Sequence, residues 1–294
     1  MKNQQGFTLI ELMLSIVLGS ITTAAGVSLY IASQKTFVAQ ETLSSNQIAV
    51  DRGLSYITDQ IRLANMGKAY SQHTAKTVGA GIVVGATNYK HSFSVQKSNL
   101  SSQATGPSFV NKASDQIVIK YNIPDDSSVD CEGDAIADSS VTVVEKYHVR
   151  SLTDGTLSLA CDAGRFSATG AGSLSGMGTG VTDLIPNVDY FKVLLVTSSM
   201  TSDGSENIRV LTIPQYKDLG TTDKRKIIGV KLGLISHSSS SIGHVGASGI
   251  NTAMKMFNEN VTINSSVQNA EKKFRYSVNT RTVSLYDGLG SYRQ

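Results

Sequence analysis

The chain has 294 residues, more than the roughly 100–200 of a typical domain, so one large or two modest domains fit it and a mini-protein is excluded. Lys and Arg number 26 and Asp and Glu 23, for a net charge of +3, and charged residues make up only 17% of the chain; 39 Ser and 25 Thr supply the polarity instead. Four Pro, no Trp and 40% hydrophobic residues exclude collagen-like, proline-rich and wholly disordered classes, and the dispersed charge gives no concentrated basic face for nucleic acid.

The N-terminus is the most informative segment. Residues 1–6 form a short polar leader with one Lys, and from Phe7 the chain runs FTLIELMLSIVLGSITTAAGVSLYIAS with Glu11 as its only charge. Residues 12–34 carry no charge, and at about 1.5 Å per residue a helix of that length spans the hydrocarbon core of a bilayer. A secretory signal peptide would have a shorter apolar stretch and a small-residue cleavage site after it. An ordinary membrane anchor leaves Glu11 unexplained, since a carboxylate near the start of a membrane helix needs a partner or a task.

The run Gly6-Phe7-Thr8-Leu9-Ile10-Glu11, followed by more than twenty apolar residues, resembles the class III leader of type IV pilins. The resemblance implies that a prepilin peptidase cuts after Gly6 and that Phe7 becomes the N-methylated first residue. It also implies that Glu11 pairs with the Phe7 amine of a neighbouring subunit as the helix docks. Small residues such as Ser15, Gly19 and Ala24 would let other apolar helices approach. Many major pilins have a Pro near the position of Ser28, and this chain has none, so no kink is carried over from them.

Beyond the apolar run the helix is expected to continue to about residue 65. Leu43, Val50, Leu54, Ile57 and Ile61 recur at helical spacing as one apolar face, to be covered by a sheet, and Asn65-Met66-Gly67 reads as the stop. Gly53 inside this face predicts a close strand approach or a slight bend. From residue 67 the chain reads as β, with strands expected at 116–121, 141–150, 156–160, 188–197 and 227–236. A terminal hairpin is expected with arms 274–278 and 281–286 about Asn279-Thr280. The intervening segments 167–180 and 236–249 are Gly/Ser/Thr-rich loops. The expected fold class is therefore α+β: a pilin-like long N-terminal helix packed on an antiparallel β-sheet head with long loops. Its parts are a leader at 1–6, a membrane and filament-core helix at 7–34, an amphipathic helix at 35–66 and a periplasmic head at 67–294.

The size, the helix ending RLANMG, and the later phrases DLIPNVDYFKVLLV and KRKIIGVKLGLIS resemble the PilW family of minor pilins. That resemblance implies a role in initiating type IV pilus assembly within a tip or priming complex, and so in twitching motility or natural transformation. The implied partners are other minor pilins, the major pilin, a large tip adhesin, the prepilin peptidase and the inner-membrane assembly platform. The implied location is the inner membrane, with the N-terminus cytoplasmic and the head periplasmic, then the pilus tip. An oxidising compartment further implies a Cys131–Cys161 disulfide closing a 31-residue loop, contributing about 3–4 kcal/mol in the chain-entropy model. Two other readings stay open: a J-type pseudopilin of type II secretion, and a competence pilin or surface binder whose head captures DNA or a surface.

Enzyme chemistry is not expected. No G-x-S-x-G, H-E-x-x-H or Walker A motif occurs, and the glycines at 79–81 and 176–180 lack a strand–loop–helix setting. No cofactor or metal is expected: His237 and His244 share a Ser-rich loop without a nearby Cys or carboxylate. Asp125, Asp126, Asp130, Glu132 and Asp134 are expected to form a solvated acidic loop, their spacing fitting no EF-hand. Lys224-Arg225-Lys226 reads as a solvated strand entrance and, with residues 272–275, as the only candidate contact for nucleic acid.

Overall fold

A computed structural model describes residues 8–65, 74, 79–89, 95–122, 128–136, 141–167, 174–220, 223, 225–239, 253–264 and 274–285. The fold is α+β, a long N-terminal helix followed by antiparallel sheets. Helix α1 spans Leu9–Leu63, and the chain divides into two units, residues 1–45 and 46–294.

In the second unit, α1 turns Val50, Leu54, Ile57 and Ile61 into a core, with Asn46 and Gly53 buried on the same face. These spacings follow the 3.6-residue period, so one stripe closes while Asp51, Arg52 and Asp59 stay in solvent. Leu43 falls in the first unit and is not a member of this core. The helix ends four residues before Gly67, which lies outside the described residues, and its end is tied down differently. Asn65 Oδ1 accepts the Gly81 N–H at 3.1 Å, and a Cβ on Gly81 would sit 1.6 Å from the Ala64 carbonyl oxygen. Only glycine lets that backbone pass so close.

The first sheet is a five-stranded antiparallel meander in sequence order: β1 (Ser102–Gly106), β2 (Ser114–Tyr121), β3 (Val141–Ser151), β4 (Leu157–Ser167) and β5 (Thr182–Pro186). β1 covers only the start of β2; further along, Val83 N–H donates to Val118 O and Lys120 N–H to Gly81 O. β4 extends seven residues beyond the end of the expected 156–160 run, because β3 pairs with it along its whole length. Between them Gly155 adopts φ +82° and the Asp154 carboxylate accepts the Thr156 N–H and hydroxyl, which closes the turn.

The second sheet has four antiparallel strands in the order β11-β8-β6-β7, where β6 is Val188–Met200, β7 Glu206–Thr212, β8 Lys226–His237 and β11 Tyr276–Ser284. Helix α2 (Ile213–Asp218) follows β7, and β9 (Ala253–Met256) pairs with β10 (Glu259–Thr262) in a separate hairpin. The expected terminal hairpin is not formed. β11 runs straight through Asn279 and Thr280, which face Leu234 and Gly233 of β8. A two-residue turn there would need positive φ at a Thr, whereas a straight strand pairs nine residues against β8.

β7 pairs with residues 194–200 of β6, and among the described residues no strand pairs with the other half of that β6 edge. Side chains and loop backbone serve it instead. Ser114 Oγ accepts the Phe191 N–H, Asp115 Oδ2 accepts the Val193 N–H, and Phe109 N–H donates to Asp189 O. The start of β2 is thereby bound to β6 across the two sheets.

Candidate functional site

From Leu9 the described part of the first unit is helix with its apolar side chains in the open. Leu9 is 77% exposed and Ile10 76%, and Leu12, Met13, Leu14, Ile16, Val17, Leu18, Ile21 and Leu29 are exposed as well. A run of this kind has no core of its own to fill and is long and apolar enough to cross a membrane. Its hydroxyls are directed at its own backbone. Ser15 donates to Glu11 O at 2.7 Å, Ser20 to Val17 O at 2.8 Å, Thr22 and Thr23 to Gly19 O, and Ser28 to Ala24 O at 2.8 Å.

The helix start is closed by Thr8 and Glu11. Glu11 Oε2 accepts the Thr8 N–H and the Thr8 hydroxyl, each at 3.0 Å, while Thr8 Oγ1 accepts the Glu11 N–H at 3.3 Å. This is a capping box: Thr and Glu three residues apart satisfy donors that the first turn leaves open. The carboxylate also lies where the helix dipole favours negative charge. Gly6 and Phe7 lie outside the described residues.

In the second unit, Cys131 and Cys161 form a disulfide with Cα atoms 6.1 Å apart, both residues buried. Beside it Glu145 is fully buried and accepts hydrogen bonds from Tyr121 Oη at 2.7 Å, Tyr147 Oη at 2.6 Å and the Cys131 N–H at 3.0 Å. Burial pushes this carboxyl above its usual range, the three donors opposing the shift. Cys131, Glu145 and Cys161 stand close enough to share a metal ion, but the sulfurs are joined to each other.

The acidic segment around Cys131 is solvated only in part: Asp134 is exposed and Glu132 half-buried, but Asp130 is not. Asp130 is buried, its Oδ1 accepting the Glu132 and Asp134 N–H groups at 3.0 Å and its Oδ2 meeting the Arg165 guanidinium. Arg165 also donates to the carbonyls of Ala135 and Asp134, and Glu132 accepts the Ala163 N–H at 3.0 Å. These carboxylates fasten the loop to β4; Asp125 and Asp126 lie outside the described residues.

The basic triplet is corrected in the same sense. Arg225 is buried and donates to Asn207 O at 3.1 Å and Asn207 Oδ1 at 3.0 Å, so it locks the β8 start to β7 and offers no charge to a phosphate. Lys226 is partly buried and Lys224 is outside the described residues, as are Lys272 and Lys273. His237 does not lie in a loop: it ends β8, with Nδ1 2.9 Å from both oxygens of the buried Asp189 and its ring 4.7 Å from that of Phe274. His244 lies outside the described residues.

A second buried charge cluster was not anticipated. Lys192 of β6 stands 3.6 Å from Asp115 and 3.7 Å from Glu259, and Glu259 binds Lys112 at 2.6 Å. The sequence signal was the lone Lys inside DYFKVLLV, an otherwise apolar strand. Helix α2 carried a signal too, the capping box Thr212-Ile213-Pro214-Gln215.

The family model described as the prokaryotic N-terminal methylation motif matches residues 1–27. No curated protein matches the chain. Among solved structures, a type IV-like pilin from Thermus thermophilus is similar at 11% identity and a TM-score of 0.37, covering 81% of this chain and 94% of its own. The chain therefore carries, at the start of its exposed apolar helix, the motif of prokaryotic N-terminal methylation.

Proposed function

We propose that this chain is a minor pilin of a type IV pilus, of the PilW type, acting in the initiation of assembly and in the tip complex. The observation that carries the reading is the methylation motif over residues 1–27 placed on a helix whose apolar side chains are exposed. A prepilin peptidase cuts after Gly6, Phe7 is methylated, and residues 7–34 hold the chain in the inner membrane with the head in the periplasm. On assembly the apolar helix moves into the filament core beside other minor pilins and the major pilin. Glu11 then leaves the Thr8 cap to neutralise the Phe7 amine of a neighbour, a charge that would otherwise be costly in an apolar setting. The head presents its loops to tip subunits and a large adhesin.

Deletion of the gene, complemented by the intact chain, tests this. Loss of surface pili with major pilin still accumulating in the membrane is the expected result. Normal pili with lost protein secretion, or with lost DNA uptake, would replace it by a pseudopilin or a competence pilin.

A further inference from the structure

Lys192, Asp115 and Glu259 come from β6, β2 and β10, three elements that are far apart in sequence. The Lys192 side chain is 3% exposed and that of Asp115 1%. Gly233 faces Lys192 across the β6–β8 pair, and a Cβ there would lie 2.5 Å from Met256 Sδ and 2.8 Å from Phe257 Cε2. The missing side chain lets the β9–β10 hairpin close over the lysine. Val110, Tyr190, Ile235, Met256, Val261 and Ile263 form the apolar cluster on this side.

Within this dry site the ammonium and the carboxylate are not in the tight contact of an ordinary ion pair. Lys192 Nζ is 3.6 Å from Asp115 Oδ2 and 3.7 Å from Glu259 Oε1, both beyond normal hydrogen-bond length. The carboxyl of Asp115 is fixed by backbone donors: Ala104 N–H reaches Oδ1 and Val193 N–H reaches Oδ2, each at 2.9 Å. Ala104 holds φ +56° to do so, a conformation that is strained for a residue with a Cβ. In a tetrahedral intermediate at Cγ, whichever oxygen carries the negative charge is met by one of these backbone N–H groups.

We propose that Lys192 Nζ and Asp115 Cγ are joined by an amide bond that the folded chain forms by itself, with Glu259 as proton carrier. A new N–C bond forms and one Asp115 C–O bond breaks. Two of the three ammonium protons pass through the Glu259 carboxylate to the departing oxygen, which leaves as water; the third stays on the amide nitrogen, and Glu259 ends as it began. Neither an oxidant nor a co-reactant is needed. The first of these two protons turns the Asp115 carboxylate into the neutral, more electrophilic acid, a form that its burial favours. Glu259 is held towards Nζ by Lys112, and with its side chain 34% exposed it opens the way out for the water. The product links the two sheets covalently where β2 already binds the β6 edge.

The full chain, purified in detergent, reduced, alkylated and digested with trypsin, is read by tandem mass spectrometry. The expected result is one branched species joining the peptide of Asp115 to the peptide of Lys192, lighter than their sum by one water and uncleaved after Lys192. Separate peptides with cleavage after Lys192 would overturn the bond. Glu259→Gln should give separate peptides while keeping the wild-type circular dichroism spectrum. A fully joined Glu259→Gln chain would overturn the proton-carrier role.

Discussion

Gly53 of α1 and Ile185 of β5 meet with no space for a methyl group between them: a Cβ at position 53 would lie 2.2 Å from Ile185 Cγ1 and 2.7 Å from its Cδ1. Helix propensity alone favours Ala over Gly by about 1 kcal/mol. Overpacking costs more, typically about 1–3 kcal/mol, so steric exclusion decides the sign. Gly53→Ala is expected to lower the denaturation midpoint of the chain, and the same change should cost less when made in an Ile185→Ala background. An unchanged midpoint for Gly53→Ala would show that β5 yields without strain.

The disulfide closes its loop in the unfolded chain as well as the folded one. Replacing Cys131 and Cys161 together by Ser is expected to lower the unfolding free energy by about 3–4 kcal/mol in denaturant titration. A change below about 1 kcal/mol would mean that the Asp130–Arg165 pairing holds the loop without it.

Glu145 makes stability depend on pH in a defined direction. Its folded pKa lies above the ordinary 4.5, so between the two values the folded chain binds more protons than the unfolded one. Stability from this group is therefore present below 4.5 and falls as pH rises through the folded value. Glu145→Gln removes the titration and retains an oxygen for the Tyr121 and Cys131 donors. Relative to wild type, the variant is expected to gain stability as pH is raised from below 4.5 to neutrality. A pH-independent difference between the two would place the perturbed carboxyl elsewhere.

The leader and the cap are separable by mutation. Gly6→Ser should leave an uncut precursor, visible as an unshifted band. Glu11→Ala should leave cleavage and membrane insertion intact while reducing incorporation into sheared pili several-fold. Thr8→Ala weakens only the cap, by about 1 kcal/mol of helix-end stability. If Thr8→Ala and Glu11→Ala lose incorporation equally, capping accounts for the effect, and the docking role of Glu11 fails.

Those features that depend on near neighbours in sequence were legible. The charge-free run and the 50-54-57-61 face mark α1 because both follow from local periodicity, and β-branched runs mark β2, β3, β6 and β8. The hairpin of β9 and β10 was missed because AMKM and ENVT are short and half polar, and its turn uses Phe257 at φ +55° rather than a glycine. Pairings made by the tertiary fold left no local trace. Nothing in Asp189 announces His237, 48 residues away, and Asp130 looks like a surface acid until Arg165 of β4 is brought to it. The basic triplet misled for the same reason: Arg225 answers to the backbone of Asn207, a partner that composition cannot supply.

The hydroxyls of the first unit bear on how such a helix can travel. Ser15, Ser20, Thr22, Thr23 and Ser28 each close on a carbonyl of their own helix, so no outside donor or acceptor is required of the surroundings. Lipid tails and the flanks of other apolar helices are then interchangeable solvents for this segment, differing in packing but not in polar accounts. Transfer from one to the other breaks no hydrogen bond along that stretch. In the docking proposed above, the polar cost among the described residues falls at the tip, where Glu11 trades the Thr8 cap for a new partner.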